Sequence, residues 1–204
     1  MACVVLINWI GINVKRSSSK RLSVVGALLC AALFVAGQAQ SATEDQIKAA
    51  YVLNFARFVD WPQEAFKGEP GFNFCALGRS RVADELAADI QGKNINGRMS
   101  AFRYLNNLDD SRNCHVIFVS GNAAKQQQKL LEIQRGRPVL IVGEFPGFAQ
   151  AGGTMDFIVE NGKVMFEVNL AAADEAHLKL SSKLLALAKI LSLASEKQKD
   201  KTAL

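Results

Sequence analysis

The chain has 204 residues, half of them hydrophobic, with 24 Lys and Arg against 19 Asp and Glu. Four of the basic residues, Lys15, Arg16, Lys20 and Arg21, lie ahead of Leu22 with no acid near them. Setting them aside leaves a nearly neutral chain without a basic stripe, which argues against a nucleic-acid partner.

Those four residues precede an uncharged apolar run over residues 22–35, and Gly37, Gln38 and Ala39 follow. Basic region, apolar core and small residues are the order of a secretory signal peptide. The run is shorter than the roughly 20 residues needed to span a bilayer, so cleavage after Ala39 is expected rather than an uncleaved anchor. Cys30 lacks the small residue that normally precedes a lipidated cysteine. Residues 1–39 are read as a signal peptide, 40–194 as one domain with its own core, and 195–204 as a charged tail. No membrane insertion is expected after cleavage. Cys3 and Cys30 leave with the leader, while Cys75 and Cys114 enter an oxidising compartment, where a lone pair is expected to form a disulfide. No zinc site is expected, because His115 and His177 are far apart and no CxxC occurs.

In chain order, Thr43 and Gln46 make a capping-box pattern ahead of Ile47, Ala50, Tyr51, Asn54, Phe55 and Phe58 at helical spacing. Trp61-Pro62 closes the segment, which predicts a helix over 44–59. Residues 72–77, holding Cys75, read as a strand. Ser80 caps a helix running to Ile90, and 99–104 reads as a second strand. Polar residues 106–111 lead to Cys114 and the buried run His115-Val116-Ile117-Phe118-Val119. A helix over 123–135 and a buried run over 138–142 complete a β, α, β, β, α, β alternation. Apolar runs over 154–160 and 163–169 flank Asn161-Gly162, a strong hairpin signal. Leu178, Leu184, Leu185, Leu187, Ala188 and Leu191 predict a long C-terminal helix over 174–194. The expected fold is a single α/β domain: a mixed β-sheet flanked by helices in Rossmann-like layers, with a hairpin and a long C-terminal helix.

No nucleophile with a base, metal cluster or carboxylate pair stands out, so neither enzyme activity nor a cofactor is expected. Gly78-Arg79-Ser80 is either an anion seat at a helix N-terminus or a plain strand-to-helix turn. His115 beside Cys114 would make a dyad only if that cysteine were free. His177 reads as a surface residue. The loop over 143–153 carries Phe145 and Phe148 among glycines, as a binding surface or as rings covering the core edge. Alternation along 166–170 puts Phe166, Val168 and Leu170 on one face and Glu167 and Asn169 on the other, a face either solvated or turned to a partner.

Residues 53–62 (LNFARFVDWP), 74–78 (FCALG), 114–119 (CHVIFV), 153–157, 166–170 (FEVNL) and 178–188 together resemble the YfiR/HmsC-like periplasmic regulators. The resemblance runs from about Thr43 to Ile190. It implies a periplasmic α/β protein that restrains the sensor domain of an inner-membrane diguanylate cyclase, lowering cyclic-di-GMP output and biofilm formation. It also implies a homodimer, and relief by an outer-membrane OmpA-like lipoprotein or by damage to disulfides. Cys75 and Cys114 match one family disulfide, whereas Gln150 and Phe157 stand where a second bridge would be. Glu167 matches a glutamate on the family's regulatory surface, and Asn169, Phe148 and Asp156 complete the expected partner-binding set. A periplasmic small-molecule receptor remains the alternative. Its pocket would lie between loop 145–153 and the last helix, take an aromatic or nucleotide-like ligand, and feed a sensor kinase or another membrane signalling protein.

Overall fold

Helix α1 (Glu44–Arg57) starts where the capping box closes: Gln46 N donates to Thr43 Oγ1 at 3.3 Å and Thr43 N to Gln46 Oε1 at 3.1 Å. Glu44 and Asp45 in its first turn and Arg57 in its last suit the helix dipole. Its inward face, Ala49, Val52, Phe55 and Ala56, is fully buried. Past Phe58 the chain turns extended, and the Trp61 indole N–H donates back to the Ala56 carbonyl at 3.2 Å. The computed structural model describes residues 42–68 and 70–191, so the expected leader (1–39) and tail (195–204) lie outside the described residues.

The runs FNFCAL, VIFV and LIVG become β2 (Phe72–Leu77), β5 (Val116–Val119) and β6 (Leu140–Gly143), buried on both faces as parallel strands are. With β1 (Val59–Asp60), β3 (Asn94–Ile95), β4 (Arg98–Tyr104), β7 (Met155–Glu160), β8 (Lys163–Val168), β9 (Lys179–Leu180) and β10 (Lys189–Ile190), they form two sheets. One is the antiparallel pair β1-β9; the other has eight strands in the order β10-β8-β7-β6-β5-β2-β4-β3. Its centre, β4-β2-β5-β6-β7, is parallel throughout, while β3 and β8 join antiparallel and β10 lies parallel to β8. In order of appearance the centre reads second, first, third, fourth, fifth, a doubly wound order that reverses between β2 and β5.

Alternation divides the core in two. Phe72, Phe74, Phe118, Phe157 and Phe166 face α1 and α2 (Arg81–Ile90), whereas Cys75, Leu77, Ile117, Val119 and Ile141 join Leu130 of α3 (Gln127–Gln134) on the other side. The hairpin turn places Asn161 and Gly162 at φ 52 and 72, both positive as its tight two-residue turn requires.

The long C-terminal helix does not form. Helix α4 (Leu170–Glu175) stops at His177, which adopts φ 55. His177 N donates to Asp174 O and Leu178 N to Ala173 O, each at 2.9 Å, a Schellman stop built on histidine where glycine is usual. Leu178 and Ala173 bury against the core as that motif demands. Beyond it β9 pairs with β1, the short helix α5 (Ser182–Leu185) starts at its Ser181 cap, and β10 adds to β8. Good helix formers misled the sequence reading because no glycine or proline marked the stop.

Candidate partner-binding site

The loop from β6 to β7 folds around Phe148, whose ring is fully buried. It lies between Gly143 and Gly153, where a Cβ on either residue would overlap the ring. Phe145 packs edge-on against it, centroids 5.5 Å apart. Both rings therefore cover the core edge, and Phe148 is not on the surface.

The loop is tied to the sheet by polar groups. Ala149 N donates to Asp156 Oδ2 at 3.1 Å, and Asn169 Nδ2 donates to Ala149 O at 2.8 Å while its Oδ1 caps α4. Asp156 on β7 sits opposite Glu167 on β8, and Glu167 sits opposite Lys189 on β10. Glu167 is 5% exposed; it accepts from Gln150 Nε2 and, at 3.2 Å, from Lys189 Nζ, which also reaches Glu160 at 3.1 Å. Burial pushes the Asp156 carboxyl above the usual carboxylate range and the Glu167 charge adds to this, against the N–H groups of Ala149, Gly147 and Phe148. Asp156 Oδ1 is buried without a hydrogen-bond partner among the described residues. The carboxylates of Glu160 and Glu167 raise the Lys189 ammonium above its ordinary value. The polar face expected for Glu167 and Asn169 is thus an inner seam, because β10 and the loop cover it.

At the other end, Cys75 in β2 is bonded to Cys114 just before β5, with their Cα atoms 5.9 Å apart and both residues buried. Cys114 is therefore no nucleophile. His115 is a tie: Asn73 N donates to Nδ1 at 2.9 Å, so the ring proton sits on Nε2, 3.0 Å from the Ala65 carbonyl.

A YfiR/HmsC-like family model matches residues 45–189. The chain belongs to the YfiR/HmsC-like family. That family is periplasmic and regulatory rather than enzymatic, known for control of diguanylate cyclases. Among solved structures, a conserved domain protein from Vibrio cholerae O1 biovar El Tor str. N16961 is similar at 10% identity and a TM-score of 0.49, covering 74% of this chain. This chain spans 60% of that one. No helix among the described residues is long and apolar enough to cross a membrane.

Within this family member the expected partner-binding residues, Phe148, Asp156, Glu167 and Asn169, come together in one cluster. Gln150 and Phe157, which the resemblance puts where a second bridge would be, have separate partners. Gln150 holds Glu167 from the loop, and Phe157 stacks on Phe55 in the core at 5.9 Å. The Gly78 turn is filled by the protein itself: Ser120 Oγ donates to Gly78 O at 3.2 Å and Asn122 Nδ2 to Arg79 O at 2.8 Å, which leaves a plain turn. His177 is exposed.

Sequence reasoning missed Lys189, hidden in the supposed helix, and Gln150. A crevice of about 120 Å3 lies between the loop and α4, where the receptor alternative expects its pocket, and a wider groove of about 620 Å3 lies beside Trp61, Phe66, Asn96 and Arg98. No sequence signal pointed to that groove: the Arg98 guanidinium carbon stands 4.0 Å over the Phe66 ring, but no local spacing links the two residues.

Proposed function

We propose that this protein is exported by cleavage after Ala39. In the periplasm it binds the sensor domain of an inner-membrane diguanylate cyclase, lowering cyclic-di-GMP and biofilm formation. The observation that carries this reading is a family match over residues 45–189 joined to a rigid, cross-tied regulatory edge. A repressor needs no active site; it needs a surface that prefers one state of its target, since a binder shifts an equilibrium only by its difference in affinity. In this reading Phe148, Asp156, Asn169 and the buried Glu167 hold the loop and sheet edge in shape, and the exposed Gln150 and Lys189, which Glu167 positions, form the partner-facing rim. A homodimer and an OmpA-like lipoprotein that relieves repression belong to the same proposal.

The test is intracellular cyclic-di-GMP after gene deletion, complemented by the intact form and by one lacking residues 1–39. A rise reversed only by the intact form supports the proposal, and an unchanged level overturns it. The groove at Trp61 and Arg98 favours a second reading, a receptor for a planar anionic ligand that feeds a sensor kinase or other membrane signalling protein. Unchanged cyclic-di-GMP with altered output of such a protein would select it.

A further inference from the structure

We propose that the recess at the entrances to β5 and β6 is a binding site for a small tetrahedral oxyanion such as phosphate. The recess holds about 150 Å3, and Lys67, Arg112 and Arg137 line it. They come from three places: the end of the Gln63–Phe66 turn, the Asp109–Asn113 turn and the residue before Pro138.

The cluster sets three cations against two nearby carboxylates, Asp109 beside Arg112 and Glu64 at the rim, and neither is paired with Lys67 or Arg137. Lys67 and Arg137 take part in none of the ion pairs among the described residues. The acid facing Arg112 is Asp109, at 3.5 Å, with both side chains more than half exposed. Glu64 lines the rim and pairs with none of the three. Arg137 is held by one neutral contact, from its Nη2 to the Arg112 carbonyl at 2.6 Å, and its buried Nε has no partner among the described residues. Holding Lys67 and Arg137 in one recess with no carboxylate paired to either is unfavourable, and an orphaned buried donor needs an explanation such as an ion.

Three carbonyls of the wall, by contrast, are engaged. The Asn113 carbonyl accepts from Asn73 Nδ2 at 2.9 Å, the Arg112 carbonyl from Arg137, and the Ala65 carbonyl from His115. Besides the Glu64 carboxylate at the rim, what remains is donor capacity and a net positive charge, the complement of an oxyanion, which arginine's planar fork suits. The volume admits a phosphate with a few waters, at about 30 Å3 per water, and not a nucleotide. The disulfide at Cys114 and the tie at His115 hold the floor of the recess in place.

Titration calorimetry of the purified protein with inorganic phosphate in low-salt buffer tests this. Saturable binding is expected, weakened about tenfold or more by Arg137→Gln and by Lys67→Gln, and unchanged by Lys163→Gln on the hairpin. Circular dichroism checks each variant, and Lys67→Gln decides if Arg137→Gln does not fold. Absence of saturable heat up to about 10 mM phosphate overturns the site, as does binding that neither variant weakens. Sedimentation with phosphatidylglycerol vesicles without binding of free phosphate would reassign the chemistry to a lipid headgroup and overturn the small-anion proposal.

Discussion

The two halves of the sheet are secured by different chemistry. At the β2-β5 half a covalent bond joins Cys75 to Cys114, and His115 adds a neutral tie. At the β7-β8-β10 half the work is done by packing at Phe148 and by charged hydrogen bonds through Asp156, Glu167, Gln150 and Lys189. The first half is open to reductants; the second responds to acid and to substitution, and is the adjustable one.

The strongest challenge to this contrast is Phe148→Ala. It would empty a site closed by Gly143 and Gly153, and we expect it to cost about 3–5 kcal/mol in urea unfolding. A loss no larger than a surface substitution gives would mean the loop is not packed as described. Next, the Cys75→Ser, Cys114→Ser double variant should lose about 2–4 kcal/mol, and its unfolding midpoint should no longer respond to dithiothreitol. With expression levels matched, it should also repress less well than wild type. Normal repression would leave the bridge a purely structural role.

Glu167→Gln should cost about 1–2 kcal/mol, because it removes the charge from a buried acceptor, and should raise cyclic-di-GMP in the complemented deletion strain. Lys189→Ala, on an exposed side chain, should move the unfolding midpoint least.

Asp156 sharpens the comparison through pH. Its folded pKa is raised above 3.8, so the folded state favours the protonated acid. The sign follows: the ionised carboxyl destabilises the fold at neutral pH, and that cost disappears as pH falls through the folded value toward the unfolded one. Relative to Asp156→Asn, the wild type should therefore gain stability between about pH 7 and about pH 4 in urea titrations. A constant difference would show that Asp156 does not titrate in that window.

Much of this fold was written locally. Thr43 with Gln46, Ser80 and Asn161-Gly162 each mark a boundary within four residues, and β2 begins and ends where the run Phe72–Leu77 does. The pairing of Cys75 with Cys114 followed from there being no other cysteine after residue 39. The C-terminal stretch was not legible, since its Leu, Ala and Lys suit a helix and the stop rests on His177 in an unusual conformation. The site was half legible. Glu167 and Phe148 were singled out by residue type and strand phase, but phase says which residues share a face and not what covers that face.

Short-range chemistry in this chain, its caps, turns, apolar phase and lone cysteine pair, was enough to set the α/β class, most element boundaries and the bridge. Lys189 lies well along the chain from Glu167, and nothing near either residue encodes their pairing. Only the addition of β10 to β8 and the folding of the loop over Phe148 turned a strip of polar side chains into a buried seam, because burial belongs to the packed sheet and not to any segment of it.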